Sequence, residues 1–478
     1  MNLPTVIGPP ETTDTEDVGG QGHEADHEAD HRSNARGKPD PRGDEGEDQI
    51  GQHAADAADH DRTAEALFCT GRLRLLVGIG ERHPSHGSVT SCLLGGPAAT
   101  VSPVNRSDNA SHPVPGAAAS DPDGSPIDLL ALTADLVDHP SVSFEETAFV
   151  DWLEQWFTAL GHLQVTRVGD NLVARTNLGR PQRLILAGHS DTVPVNGNGV
   201  ARVENDVLWG VGSADMKGGL AVMLELARSV SEPAVDVSYV IYAREEVARE
   251  HSGLTELVRL RPDLVAGDCA ILGEPTSGDV EAGCQGAMRL ELTLAGARAH
   301  TARPWMGRNA VHRLAPILTL LDQYQERSPL LDNCQYRESL QAVGVTAGIA
   351  GNVVPDAAQL RIHFRYAPDR SAVEAEAHIR DLLAPHLDAG DELAVVDSAP
   401  ACAPSLTHPL LQRLVADNKL GVRAKLGWTD VAQFAELGIP ATNFGPGDPT
   451  VAHSADERLD RADLQRCHGA LAGLITRP

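Results

Sequence analysis

The sequence is poor in basic residues, with 39 Lys and Arg against 67 Asp and Glu and a net charge of -28. Proteins that bind nucleic acids cluster positive charge along the phosphate backbone, so this balance argues against a nucleic-acid partner. The chain also lacks an apolar run of about 18 residues, the length that predicts a membrane span. A basic start followed by an apolar stretch, as in a signal peptide, is missing too. We therefore predict a cytoplasmic protein with no membrane partner.

Closely spaced cysteine pairs are also absent. The seven cysteines are scattered along the chain, which favours reduced thiols over the disulfide framework of a small secreted domain. Aromatic residues make up only 4%, but the hydrophobic fraction is 41%. A chain of 478 residues with this composition is long enough for a sizeable core and two or three domains.

Residues 1–124 differ in composition from the rest. They are acidic and rich in Gly, Pro, Ser and Asn, and they include a histidine-containing repeat at 23–31. Such a segment buries too little apolar surface to offset the loss of chain entropy, so we predict a disordered extension. The repeat is interpreted as a solvated acidic tail, with metal binding as the alternative.

Regular structure is predicted from about residue 125 onward. Apolar strand candidates alternate with helices over 125–285 and again over 401–478. This order is typical of an α/β domain with a mostly parallel sheet, in which functional side chains collect beyond the carboxyl ends of the strands. The segment 141–146 is interpreted as the capped start of a helix. Residues that fall at or just after such ends are His189, Asp215, Glu245, Glu246 and Glu274.

The order of elements changes over 286–400. A strand, a helix, two strands, a helix and a strand follow one another, as in a small ferredoxin-like α+β domain. We predict that this domain is inserted into the larger one, whose first part is 125–285 and whose second part is 401–478.

The candidate metal ligands are imidazoles and carboxylates without a nearby cysteine: His189, Asp215, Glu246, Glu274 and His453. Such ligands suit Zn²⁺, with Co²⁺ and Mn²⁺ as alternatives. Five ligands exceed the three that are usual for one catalytic zinc, so we predict two ions roughly 3.5–4 Å apart, bridged by one carboxylate. Two such ions would generate a hydroxide nucleophile near neutral pH.

Two acidic residues beside these ligands are predicted to support them. Asp191 lies two residues after His189, on the same side of a strand, and would orient its imidazole. Glu245 directly precedes Glu246 and would act as the general base that passes a proton to the leaving amine. An exposed acidic pair is the alternative for Glu245 and Glu246.

Several long motifs over about 125–478 carry a family resemblance. The chain resembles the di-zinc aminoacylase and carboxypeptidase superfamily in His189-Ser-Asp191-Thr-Val-Pro, Gly212-x-x-Asp215-Met-Lys-Gly-Gly219, Glu245-Glu246, Gly273-Glu274-Pro-Thr276 and His453. Within it, the chain is most similar to actinobacterial succinyl-diaminopimelate desuccinylases, through Gly283-Cys-Gln-Gly286, Ala299-His-Thr-Ala-Arg-Pro-Trp305, Ala350-Gly-Asn-Val-Val-Pro355, Phe364-Arg-Tyr-Ala-Pro-Asp-Arg370, Gly427-Trp-Thr-Asp430 and Asn443-Phe-Gly-Pro-Gly-Asp448.

The resemblance implies a role for each residue of the site. It places His189 and Glu274 on one zinc, Glu246 and His453 on the other, and Asp215 between them. It also implies a homodimer formed through the inserted domain. His300 would then reach the neighbouring subunit's active site and stabilise a developing oxyanion. A hinge or surface position is the alternative for His300.

The implied reaction is the hydrolysis of N-succinyl-L,L-diaminopimelate, a small molecule on the route to lysine and cell-wall precursors. Arg365 is the first candidate for the succinyl carboxylate, because guanidinium presents a planar donor pair to a carboxylate. The resemblance adds Arg303, Asn352 and Thr429 as substrate contacts. An ion pair on an outward strand face is the alternative for Arg365. For the whole chain, the alternatives are an N-acetylornithine-type deacetylase, a metallo-exopeptidase and a non-catalytic binding protein.

Overall fold

The computed structural model describes residues 127–477. The predicted extension 1–124, with its histidine-containing repeat, lies outside these residues. Within them the helices are α1 (Leu129–Val137), α2 (Thr147–Ala159), α3 (Gly218–Ser229), α4 (Gly253–Leu260), α5 (Leu314–Asp322), α6 (Ala372–Leu383), α7 (Pro409–Asn418), α8 (Val431–Glu436) and α9 (Arg461–Thr476). None of these helices is both long enough and apolar enough to cross a membrane.

The strands of the same region form four sheets. In chain order they are β1 (Gln164–Val168), β2 (Asn171–Arg175), β3 (Arg183–His189), β4 (Arg202–Glu204), β5 (Val207–Trp209), β6 (Asp236–Tyr242), β7 (Cys269–Leu272), β8 (Val280–Ala282), β9 (Gly286–Ala295), β10 (Leu330–Leu331), β11 (Cys334–Gln335), β12 (Ser339–Ala347), β13 (Ala357–Tyr366), β14 (Glu392–Ala399), β15 (Val422–Ala424), β16 (Ala441–Asn443) and β17 (Arg458–Asp460).

The largest sheet has eight strands in the order β1-β2-β6-β3-β7-β16-β8-β15. Its central run β6-β3-β7-β16 is parallel, as is the β8–β15 pair, whereas β1–β2, β2–β6 and β16–β8 are antiparallel. The prediction of a mostly parallel sheet is therefore confirmed.

Both faces of this sheet are covered. In β3, Leu184 and Leu186 join one hydrophobic core, while Ile185 and Ala187 join another, because successive strand side chains point to opposite faces. Residues of α1, α2, α3, α7 and α9 line the first core, and residues of α4 and α8 line the second. A strand buried on both sides is the setting in which a parallel sheet is stable.

The second main sheet has four antiparallel strands in the order β12-β13-β9-β14. Together with α5 and α6 it follows the predicted β-α-β-β-α-β order. One face packs on these helices through residues such as Leu290 and Phe364, whereas the other face carries Arg289, His363 and Arg365. After β14 the chain contributes β15 and β16 to the large sheet. The domain boundaries drawn from the sequence stay a prediction.

The chain passes between the two sheets at one isolated bridge. Cys284, just before β9, and Cys402, just after β14, exchange backbone hydrogen bonds of 2.9 and 3.0 Å. The cysteines of the described region are all buried and free, as expected for reduced thiols.

Candidate metal centre and substrate cleft

The candidate ligands meet because three neighbouring parallel strands end at one edge of the large sheet. His189 is the last residue of β3 and pairs with Tyr242 at the end of β6. Glu246 follows β6 by four residues, and Glu274 follows β7 by two. Since the carboxyl ends of parallel strands share an edge, these side chains converge as the sequence predicts.

Asp215 reaches the same place from the turn that precedes α3. The backbone N–H groups of Ala214 and Asp215 donate to Glu457 Oε1 at 3.0 and 3.1 Å, which holds this turn in position. Helix α3 lies so close to the end of β7 that a Cβ on Gly219 would be 2.2 Å from the carbonyl oxygen of Gly273. Only glycine allows this approach, and Asp215 thereby lies beside the strand ends.

The two carboxylate oxygens of Asp215 face different imidazoles. His189 Nε2 lies 3.0 Å from Oδ1, and His453 Nε2 lies 3.4 Å from Oδ2. His453 Nε2 is also 2.8 Å from Glu246 Oε1. Ligand atoms of His189, Asp215 and Glu246 all lie within 4.8 Å of one another. An acid between two imidazoles is the arrangement that a bridging carboxylate needs.

The donor set fits divalent cations. Glu274 is only 4% exposed, and its Oε1 is buried without a hydrogen-bond partner in the described structure. A buried carboxylate oxygen is costly unless a proton, a donor or a cation compensates it. Asp215, Glu246 and Glu274 with two imidazoles offer oxygen and nitrogen donors typical of zinc and related ions.

Asp191 ties two of the strand ends together. Its carboxylate accepts hydrogen bonds from the backbone N–H groups of Glu245 and Glu246 at 2.9 and 3.1 Å, and from the Ser143 hydroxyl at 2.8 Å. His189 Nδ1 lies 3.0 Å from the backbone carbonyl oxygen of Asp191 and 3.6 Å from Oδ1. The Asp191 carbonyl is thus the nearer partner of His189 Nδ1. His189 Nε2 faces Asp215 and the candidate metal site.

Ser143 corrects one sequence prediction. The sequence predicts a capped helix start within 141–146, but α2 begins after Glu146, which makes no side-chain cap hydrogen bond. The Ser143 hydroxyl is directed to Asp191 instead. Nothing in the local sequence distinguishes these two uses of a serine.

The charges of the site are strongly coupled. Burial lowers the pKa of His189, but hydrogen bonds with Asp191 and Asp215 outweigh it and raise the pKa well above its usual value. Hydrogen bonds with Asp215 and Glu246 raise the pKa of His453 to about 11. The two imidazoles therefore favour the protonated form, which places positive charge beside Asp215 and Glu246 when no metal ion is bound.

The pKa values of two carboxylates without an imidazole partner are raised as well, which for an acid favours the neutral form. Burial, reinforced by the charge of Asp215, raises the pKa of Glu274 to about 7. Burial also raises the pKa of Glu245 well above its usual value, with further contributions from Glu274 and Glu246. A divalent cation would reverse these shifts, because it stabilises the ionised form of each carboxylate.

A cleft of about 740 Å³ opens over the candidate metal centre. Both main sheets line it, and among the predicted residues it includes Asp215, Glu245, Glu246, Glu274, His453, Arg365 and Thr429. It also contains cations that the sequence analysis did not single out: Arg249, Arg289, Arg423 and Lys425. All four lie outside the recognised motifs, so no local pattern marks them.

Comparison with known proteins identifies the family. The profile of peptidase family M20/M25/M40 matches residues 185–477. The chain belongs to this family.

Relatives of this M20/M25/M40 chain are similar over most of their length. A Mycobacterium tuberculosis protein that carries the provisional name succinyl-diaminopimelate desuccinylase DapE is 48% identical, over 70% of this chain and 93% of its own. A Corynebacterium glutamicum protein named succinyl-diaminopimelate desuccinylase is 42% identical, over 69% of this chain and 91% of its own. The resemblance predicted from the motifs is confirmed.

Solved structures share the fold of this family member. A tripeptidase from Staphylococcus aureus has a TM-score of 0.61 at 23% identity and covers 73% of this chain and 97% of its own. A Bacillus subtilis protein described as a dinuclear metal-binding peptidase of the M20 family has a TM-score of 0.53 at 16% identity. It covers 72% of this chain and 96% of its own.

Three predicted site residues of the M20/M25/M40 chain are exposed and neither line the cleft nor contact the candidate ligands. His300, Arg303 and Asn352 are exposed and adjacent to one another: Arg303 N–H donates to the His300 carbonyl at 2.8 Å, and Thr301 N–H donates to the Asn352 carbonyl at 3.0 Å. His300 Nδ1 accepts from Ala302 N–H at 3.0 Å. A single chain does not bring this group to the candidate metal centre.

Proposed function

We propose that the protein is a metal-dependent amide hydrolase that releases succinate from N-succinyl-L,L-diaminopimelate. This reaction gives L,L-diaminopimelate, a precursor of lysine and of cell-wall peptides. The observation that carries the proposal is the convergence of four imidazole and carboxylate groups with Asp215, beneath a cleft that also contains Arg365. The printed names of the two relatives with 48% and 42% identity support the substrate.

The metal centre is proposed to hold two ions, with zinc as the first candidate and cobalt as the alternative. His189 and Glu274 would hold one ion, Glu246 and His453 the other, and Asp215 both. When bound, such ions supply Lewis-acid activation of water and of the amide carbonyl. The opposed oxygens of Asp215 support this division, because each faces a different imidazole at 3.0 and 3.4 Å.

Glu245 is proposed as the general base and acid. Its side chain lines the cleft beside Glu246 while its backbone N–H is fixed by Asp191 at 2.9 Å. A carboxylate held in place beside the ligands can accept a proton from water and deliver it to the nitrogen of the leaving amine. Asp191 acts on it through the backbone, as a positioning residue.

Arg365 is proposed to hold the succinyl carboxylate. It lies on β13, lines the cleft and is half-buried, and its Nη1 is buried without a hydrogen-bond partner in the described structure. A guanidinium with an unused N–H group is a ready binding site for a carboxylate. Thr429 lines the same cleft, where its hydroxyl donates to Asn443 Oδ1 at 2.9 Å.

A homodimer is proposed to complete the site. The exposed group His300, Arg303 and Asn352 would then face the cleft of the second subunit, where an imidazole N–H would stabilise negative charge on the amide oxygen. Strand β12 supports an interface on the four-stranded sheet, because it is an edge strand and exposes Val343 and Val345 by 58% and 52%. An edge with apolar side chains tends to pair with another chain.

The decisive experiment is a side-by-side assay of the purified protein supplied with Zn²⁺ or Co²⁺. We expect release of succinate from N-succinyl-L,L-diaminopimelate to be much faster than release of acetate from N-acetyl-L-ornithine. The reverse preference would contradict the substrate and leave the mechanism intact. Absence of hydrolysis of both amides by metal-loaded protein would favour a non-catalytic binding protein.

A further inference from the structure

We propose that Lys425 is a substrate-binding residue that holds the carboxylate closest to the amide bond that is hydrolysed. The inference rests on the proposed function, because one of the three carboxylates of the proposed substrate is on the carbon bonded to the amide nitrogen and another is at the end of the succinyl group. A cation beside each of these two would offset the cost of removing its charge from water.

Lys425 lies directly after β15, at the edge of the eight-stranded sheet, and lines the cleft. Its side chain is only 9% exposed. The ammonium Nζ donates to the carbonyl oxygen of Pro275 at 3.3 Å. Since Pro275 directly follows Glu274, this contact places the positive charge beside a proposed metal ligand.

A carboxylate behind the lysine explains why a buried ammonium is tolerated. Lys425 Nζ lies 3.0 Å from Glu281 Oε2, and Glu281 Oε1 lies 2.9 Å from Arg423 Nε. Glu281 is itself 6% exposed and belongs to β8, which pairs with β15. Buried charges are retained in proteins when they are paired in this way.

The pairing of Lys425 and Arg423 with Glu281 leaves an excess of positive charge at the cleft. Two cations, Lys425 and Arg423, share the single negative charge of Glu281. Asp279 is 3.6 Å from Arg423, but both side chains are partly exposed, so water screens that contact. The ammonium has three N–H groups: one donates to Pro275, and Glu281 lies at ion-pair distance from Nζ. At least one N–H group is therefore available to a ligand carboxylate.

The position of Lys425 decides which carboxylate it takes. Arg365 lies on β13 in the other sheet, whereas Lys425 is attached to the segment that carries Glu274. The succinyl carboxylate is separated from the amide carbonyl by two methylene groups. The carboxylate nearest to the amide nitrogen is on the carbon bonded to that nitrogen. The nearer carboxylate is therefore assigned to Lys425 and the farther one to Arg365.

The test compares Lys425→Met with Lys419→Met, which removes the same charge from an exposed position at the end of α7. Each protein, loaded with zinc, is assayed on N-succinyl-L,L-diaminopimelate and on an analogue in which hydrogen replaces the carboxylate next to the amide nitrogen. We expect Lys425→Met to lower kcat/KM roughly 10- to 100-fold on the full substrate, as for the loss of a charged hydrogen bond. On the analogue it should behave like the unaltered protein, as Lys419→Met should on both substrates.

Several outcomes would overturn the assignment. An equal loss on both substrates, or a loss of bound zinc, would show that Lys425 supports the fold or Glu274 instead of the substrate. If the fall in kcat/KM disappears on an analogue without the succinyl carboxylate, Lys425 binds that carboxylate, the role assigned to Arg365. Lys425→Gln, which fills similar space without charge, provides the same test if the methionine variant does not fold. Failure of the unaltered protein to release succinate would refute the proposed function itself.

Discussion

The polar groups at the carboxyl edge of the eight-stranded sheet are bonded to one another, whereas those near the four-stranded sheet are mostly exposed. Glu246 and His453 are 2.8 Å apart, and Asp191 accepts two backbone N–H groups and a hydroxyl. In contrast, His300 and Arg303 are exposed. In the described structure, His300 Nδ1 accepts a hydrogen bond from Ala302 N–H, and the His300 carbonyl accepts one from Arg303 N–H. The first group is paired within one chain, whereas the second is open to solvent in the described structure.

This difference follows from the cost of burying charge. Most carboxylates at the large sheet, and His189, lie away from water, so pairing offsets the cost of burying their charge; Glu274 Oε1 is an exception without a hydrogen-bond partner in the described structure. The pairs join distant parts of the sequence: Glu457 accepts from the N–H of Asp215, 242 residues away. Exposed groups have no such requirement, because water satisfies them until a ligand or subunit replaces it.

The largest effect should come from Glu245→Gln, which removes the proposed base and leaves the buried network in place. We expect kcat to fall roughly 100- to 10,000-fold, the range for loss of general acid–base catalysis. Bound zinc, measured by elemental analysis, should be unchanged. Glu250→Gln, at a position where the side chain is 78% exposed, is the matched control. Loss of zinc from the Glu245 variant would mean that Glu245 is itself a ligand.

The next largest fall in kcat is expected for His300→Ala, in the exposed group near the four-stranded sheet. Loss of one oxyanion donor should lower kcat roughly 100- to 1,000-fold, with normal folding because the side chain is exposed. Mixing this variant with Glu245→Gln should restore activity, since a mixed dimer has one site with both groups intact. His312→Ala, also exposed, should have no effect. Without recovery in the mixture, a site shared between subunits would be ruled out.

Asp191→Asn tests the hydrogen-bonded group at the eight-stranded sheet, with zinc affinity as the measured quantity. Glu245 N–H and Glu246 N–H donate to different oxygens of Asp191, so the NH2 group of an amide there would face one of these two N–H groups and shift the segment. We expect zinc affinity to fall roughly 10- to 100-fold, as for other residues that orient metal ligands. Competition with a chelator measures it, and Asp322→Asn on the exposed end of α5 is the control. Unchanged affinity would separate Asp191 from the metal centre.

The smallest effect is expected from removing residues 1–120. If the two sheets contain the whole site, kcat/KM should stay within roughly twofold, the size expected for changes away from packed features. A large loss would contradict the prediction that the extension is dispensable for catalysis. Steady-state assays of the full and shortened chains with the same zinc content measure this directly.

Much of the candidate site could be predicted from local patterns. His189, Glu246 and Glu274 follow apolar strands, and the common edge of a parallel sheet brings them together. The four-stranded sheet was likewise predictable from its order of strands and helices. Ser143 and Glu457 were not, because each contributes through a partner at least 48 residues away.

The division between sequence and structure is clearest at Lys425. The sequence alone determined the succession of strands and helices along the chain, the apolar run of β3 and the family motifs, all of which depend on neighbours along the chain. Only the tertiary structure decided that Lys425 pairs with Glu281, 144 positions earlier in the sequence, and that His300 stays outside the cleft. The proximity of two distant charged side chains depends on how whole sheets pack, and no local pattern encodes it.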